Sequence, residues 1–154
     1  VREELNRVVA AARAAGRDVL LEHEGLVLLA GLGIGVPRHV VVRNSREAAD
    51  LSLANFAGDR VVVKVQSARI LHKTEFGGVR VVPRDPASVA AAVRDMETRL
   101  TGQAVESFLI AEFVPHDASL GGEVLLGMRW TEDFGPVVTF GPGGVHSEYL
   151  ARNL

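Results

Sequence analysis

The chain has 154 residues, 47% of them hydrophobic and 23% charged, the composition of one folded domain or two small lobes rather than of a disordered segment. Its net charge of −2 and pI near 6.2 give no electrostatic footprint for nucleic acid or an anionic membrane surface, and no run of about 18 apolar residues is present to span a bilayer. With no cysteine, disulfides, thiolate metal sites and cysteine nucleophiles are excluded, and the cytoplasm is the default compartment.

Residues Val1 to Ala15 place Leu5, Val8, Val9 and Ala12 at helical spacing, and Gly16 ends that helix. Asp18 is expected to cap a second helix carrying Leu20, Leu21, Gly25, Leu28 and Leu29 on one face. Pro37 then opens an extended run, His39 to Arg43. Asn44 or Ser45 caps a third helix expected over Arg46 to Phe56. After the Gly58-Asp59 turn, Arg60 to Val65 is a β-branched run that reads as a buried strand.

A polar, glycine-containing loop leads to a strand over Gly78 to Val82. Pro86, at a first helical position, starts an alanine-rich helix to about Leu100. The last third reads as strands, Phe108 to Val114, Glu123 to Arg129 and Pro136 to Phe140, separated by glycine-bearing turns. Helices first and strands later, without long βαβ repeats, predict an α+β fold rather than a doubly wound sheet. The start at Val1-Arg2-Glu3-Glu4 lacks Met, and the chain stops soon after a glycine-rich strand region, so it reads as a piece of something longer.

Lys64 stands out because it interrupts the valine-rich strand. A buried ammonium needs an anion, a cleft or a sheet edge; an edge lysine that guards against aggregation meets the last condition as well as a functional group meets the second. The following block, Gln66 to Gly78, crowds Arg69, His72, Lys73, Thr74, Gly77 and Gly78 between two strands. Glycine allows close approach of backbone N–H groups to phosphate oxygens, and Lys or Arg supplies countercharge. A histidine there can act as acid, base or phosphoryl acceptor; a solvated loop with an exposed histidine is the plain alternative.

Glu112 closes one strand and Glu123 opens another, a spacing suited to holding a ribose and a base, although either is also an ordinary surface ion-pair partner. Gly141-Pro142-Gly143-Gly144 is a backbone-exposing turn, and Glu148 beyond it is a candidate Mg2+ ligand. The five histidines lack zinc-pair spacing. The P-loop, nucleophile-elbow and dinucleotide-binding glycine motifs are all absent, which disfavours those three readings.

Taken in order, "LLEHEGLVLLAGLGIGVP", "VVVKVQSARILHKTEFGGVRV", "FLIAEFVPHDASLGGEVLLGMRWTEDFGPVVTFGPGGV" and "SEYL" resemble the ATP-grasp domain of the ADP-forming (NDP-forming) acyl-CoA synthetases, relatives of the succinyl-CoA synthetase β subunit. The resemblance covers about Asp18 to Leu150, with residues 1–17 a helical lead-in. It implies two α+β lobes with a nucleotide between them, a lobe boundary near 107–115, and a C-terminal part of the family domain missing.

It further implies ATP or ADP with Mg2+ as ligands. Lys64 would contact phosphates, and Lys73, Thr74, Gly77 and Gly78 would shape the loop around His72, the catalytic phosphoryl carrier. Glu112, Phe113 and Val114 would form the adenine hinge, Glu123 would bind ribose, and Glu148 would ligate the metal. The implied partners are a CoA-binding and phosphohistidine domain or subunit, within an oligomeric full enzyme. One departure is that Ala151, Arg152 and Asn153 follow Glu148 where family members often carry another acid. A reading from a different class is a nucleotide-sensing regulatory module attached to an acyltransferase or other CoA protein, without ligase activity.

Overall fold

The computed structural model describes residues 2–70, 73, 76–117, 119 and 122–144. Its elements, in chain order, are α1 (Arg2–Ala14), α2 (Glu22–Gly31), β1 (His39–Val42), α3 (Ser45–Ala49), β2 (Arg60–Gln66), β3 (Val79–Pro83), α4 (Pro86–Arg99), β4 (Ser107–Glu112), β5 (Val124–Thr131) and β6 (Gly135–Pro142). The expected α+β class is what forms. Two compact units divide the chain, residues 1–113 and residues 114–154. No described helix is long and apolar enough to cross a membrane.

In the first unit four strands lie in the order β1-β4-β2-β3, every neighbouring pair antiparallel. Strand β2 is therefore an interior strand, which removes the edge-lysine reading of Lys64. Its residues alternate between two faces, as a pleated strand requires. Val61, Val63 and Val65 are fully buried and join Phe108 and Ile110 of β4 in a core with Val89, Val93 and Met96 of α4. Val62, Lys64 and Gln66 lie on the opposite face. Lys64 thus keeps the period of the strand instead of breaking it; the two faces have different company.

Local chemistry explains where the helices depart from expectation. Helix α2 is not capped by Asp18. The Glu24 carboxylate reaches back to accept the Leu21 N–H at 2.7 Å, satisfying a donor at the helix start. Arg17 grips the same carboxylate through two 2.7 Å bonds, the planar fork that suits guanidinium and carboxylate. Helix α3 begins as expected, with Asn44 Oδ1 accepting the Glu47 N–H at 2.9 Å, but it stops at Ala49 rather than Phe56. Beyond it, Arg84 donates to the carbonyls of Leu53 (2.8 Å) and Gly58 (2.6 Å), giving that segment non-helical partners while Leu53 and Phe56 fill the core. Helix α4 starts where Pro86 predicts, with Asp85 accepting the Ser88 N–H at 2.8 Å.

The second unit is built on the β5–β6 hairpin, turned at Gly135 with φ near 66°. Thr131 Oγ1 ties the turn, accepting the Phe134 N–H and donating to the Gly135 carbonyl, each at 3.2 Å. A two-stranded ribbon cannot bury both faces, and Leu126, Met128, Trp130 and Phe140 are exposed.

Candidate functional site

The face of the sheet that carries Lys64 meets the first turn of α2. Lys64 Nζ donates to Glu22 Oε1 at 2.5 Å, and Lys73 Nζ donates to Glu22 Oε2 at 3.0 Å. One carboxylate thus spans two ammonium groups, leaving one net positive charge in a half-buried cluster. Burial pushes the Glu22 pKa up, but the hydrogen bonds and charges of Lys64 and then Lys73 outweigh it and hold the carboxyl below its ordinary value.

Two residues away on the same face of β2, Gln66 is fully buried. Its Oε1 accepts the main-chain N–H of His23 at 3.1 Å and lies 2.8 Å from His23 Nδ1, while its Nε2 donates to Ser107 Oγ at 3.0 Å. The main-chain N–H can only donate, so the amide oxygen faces His23. In the neutral ring Nδ1 must then carry the hydrogen, and Nε2 is the basic nitrogen. The His23 N–H is one of the donors a helix start leaves without an intrahelical partner, and a strand side chain supplies the acceptor.

The loop carrying Lys73 is closed tightly. Gly78 donates its N–H to the Lys73 carbonyl at 2.7 Å, and the Gly78 carbonyl accepts the Val65 N–H at 2.8 Å. A Cβ at Gly78 would sit 2.9 Å from that Lys73 carbonyl oxygen, so only glycine fits without movement. Gly77 has φ near 65°, the left-handed region, with the Arg99 side chain packed against it. The Gly78 N–H is therefore spent inside the loop; its place is to set the position of Lys73.

Glu112 is engaged by main chain. Its Oε1 accepts the Ala57 N–H at 2.7 Å and its Oε2 the Arg38 N–H at 3.1 Å, and these bonds, Ala57 first, hold its pKa below the ordinary value. The Phe113 ring lies under the Arg60 guanidinium, 4.2 Å from centroid to Cζ, and its N–H donates to the Arg60 carbonyl at 3.4 Å. In the second unit Val114 is exposed, and Glu123 Oε1 lies 3.9 Å from His116 Nε2. The Glu123 carbonyl accepts the Gly143 N–H at 2.8 Å, and a Cβ at Gly144 would fall on the Glu123 carboxylate. The glycines of this turn thus permit a close approach to Glu123.

Of the residues singled out from the sequence, Lys64 and Lys73 are brought together, Gly77 and Gly78 build the same loop, and Glu112 with Phe113 lies at the end of β4. His72, Thr74 and Glu148 lie outside the described residues. Glu22, His23 and Gln66 were missed. Their signal was period two on β2, which puts Gln66 on the Lys64 face, and the acid opening the second helix. Among the described residues no three His, Asp or Glu side chains are grouped to hold a metal ion. A separate groove lined by Arg17, Arg69, Val105 and Glu106 does not include Lys64 or Lys73.

Residues 11–153 match the sequence profile of an ATP-grasp domain. The chain is 33% identical over 143 residues to the β subunit of acetate–CoA ligase (ADP-forming) I of Pyrococcus furiosus, covering 93% of this chain and 60% of that protein. It is likewise 33% identical to the 4-hydroxybutyrate–CoA ligase (ADP-forming) of Nitrosopumilus maritimus, of which it covers 19%. Among solved structures, the dinucleotide-forming acetyl-coenzyme A synthetase 1 of Ca. Korarchaeum cryptofilum, in complex with coenzyme A, Ca-AMPCP and HgCl+, superposes with a TM-score of 0.76 at 31% identity, covering 90% of this chain and 60% of that one. A Pyrococcus horikoshii structure shares the fold with a TM-score of 0.81 at 24% identity. The chain therefore spans no more than 63% of the length of these relatives.

Proposed function

Because the chain belongs to the ATP-grasp domain family and is similar over most of its own length to ADP-forming acetate–CoA ligases, we propose that it is the nucleotide-binding component of an ADP-forming acyl-CoA synthetase. The whole enzyme would interconvert acyl-CoA, ADP and phosphate with acid, CoA and ATP in the cytoplasm. Its CoA-binding and phosphohistidine parts would lie in another segment or subunit.

The observation that carries this reading is the convergence of Lys64 and Lys73 on one anionic group. Phosphoryl transfer needs positioning and charge neutralisation more than new covalent chemistry, and a pair of ammonium groups on a rigid strand and a glycine-closed loop supplies both. Nucleotide phosphates are the anions this pair would hold. Lys64 acts from an interior strand, where its stem has little freedom; Lys73 acts from the loop whose shape Gly77 and Gly78 maintain. Thr74 belongs to the same loop in sequence. The main chain at Glu112, Phe113 and Val114 is assigned to the base and Glu123 to the ribose. The Glu112 carboxylate itself is bonded to Ala57 and Arg38, so it would orient this segment rather than touch the ligand.

Mg2+ would add charge neutralisation when bound. The described residues offer no cluster for it, so its ligation rests on the resemblance, through Glu148. His72, next to Lys73 in sequence, is proposed to carry the phosphoryl group between the partner's phosphohistidine and ADP.

Isothermal titration with ADP and Mg2+ tests the reading. The parent should bind, and Lys64→Ala should lose about tenfold or more in affinity, as expected when a charged hydrogen bond to phosphate is removed. His72→Ala should bind within a few-fold of parent yet transfer no phosphate in the presence of the partner domain. Lys64→Ala binding as tightly as parent would sink the phosphate site, and normal transfer by His72→Ala would sink the relay.

A further inference from the structure

Glu22 is not a residue to which the resemblance assigns a ligand, yet it occupies the place where the two candidate phosphate-binding lysines meet. Each of its carboxylate oxygens takes one ammonium group, Lys64 at 2.5 Å and Lys73 at 3.0 Å. The carboxylate is fixed at the first residue of α2, where the positive end of the helix dipole favours a negative charge. The next residue, His23, is locked to buried Gln66, so the start of the helix is held on the sheet.

We propose that Glu22 is a resident anion at the phosphate site: a positioning residue that keeps Lys64 and Lys73 converged before phosphate binds and weakens phosphate binding by competing for them. This rests on the reading of Lys64 and Lys73 as phosphate ligands. A lysine ammonium has three donors, so it can serve a carboxylate and a phosphate together, but the two anions then lie within roughly 5 Å of each other. Their repulsion in a half-buried site opposes the gain from the lysines. Binding therefore requires Glu22 to share or surrender its partners, which keeps a polyanionic ligand exchangeable rather than trapped.

The test uses the full chain with inorganic pyrophosphate and ADP as probes. Glu22→Gln removes the charge while keeping a side chain that can still accept from a lysine. It should bind both probes about tenfold more tightly than parent, while adenosine binding is unchanged. Its melting temperature should not rise, so the gain cannot be credited to a better-folded protein. Equal or weaker pyrophosphate binding by Glu22→Gln, with the parent binding normally and Lys64→Ala impaired, overturns the role of Glu22 alone. Failure of Lys64→Ala to weaken binding overturns the underlying site as well. Should Glu22→Gln not fold, the parent answers the same question through the 13Cδ resonance of Glu22. Saturating pyrophosphate must shift that signal, and an unmoved resonance overturns the proposal.

Discussion

Replacing Gln66 with leucine, close to it in size, isolates the contribution of the buried amide to both fold and site. Gln66 is fully buried and serves three groups: the His23 main-chain N–H, His23 Nδ1 and Ser107 Oγ. Leucine fills the volume and pairs with none of them. Each buried polar group left without a partner costs about 1–3 kcal/mol, and His23 is only half-buried, so water recovers part of the loss. The expected destabilisation is about 3 kcal/mol, which for a chain of this size lowers the melting temperature by roughly 9 °C. Urea denaturation followed by circular dichroism measures the first quantity and a thermal scan the second. The 15N shifts of the His23 ring should also change, because nothing then holds the hydrogen on Nδ1. A loss below about 0.5 kcal/mol, the ordinary range of a surface substitution, would refute the claim that this amide pins α2 to the sheet.

Acidification tests the paired carboxylates as a group. Glu22, Glu24 and Glu112 all have folded pKa values held below the ordinary 4.5, so their stabilisation is complete above about that pH and is lost as pH falls through the lowered values. Melting temperature should hold steady from pH 7 to about pH 5 and fall below that; a flat profile down to pH 3 would contradict the pairing. At the loop, Gly78→Ala places a Cβ 2.9 Å from the Lys73 carbonyl oxygen, and the loop must open to accept it. Titration should show ADP affinity falling several-fold while urea stability changes by about 1–2 kcal/mol; unchanged affinity would mean that the loop does not position Lys73 for phosphate.

The legible parts of the fold were those set by local rules. Pro86 placed the start of α4, Asn44 capped α3, and the valine run of β2 marked the strand that runs through the core. Local rules failed where a distant partner supplied the hydrogen bonds. Arg84 and Glu112, far along the chain, hold the Leu53 carbonyl and the Ala57 N–H in the segment after α3. The start of α2, by contrast, obeys a local rule of its own, Glu24 rather than Asp18 taking the Leu21 N–H. The order of residue types singled out Lys64 and the loop to Gly78 as candidates for chemistry and carried the resemblance that implies a phosphate ligand.

That order alone could not say which of three environments the Lys64 ammonium had found, because an edge, a cleft and an ion pair leave the same letter in the chain. The antiparallel sheet, with β2 between β4 and β3, removed the edge. The packing of α2 on the far face of β2 then supplied the anion, Glu22, 42 residues earlier. Types and periods are local and are written in the sequence. The pairing of two lysines with one carboxylate depends on three separate segments reaching one place, and only the tertiary structure brings them there.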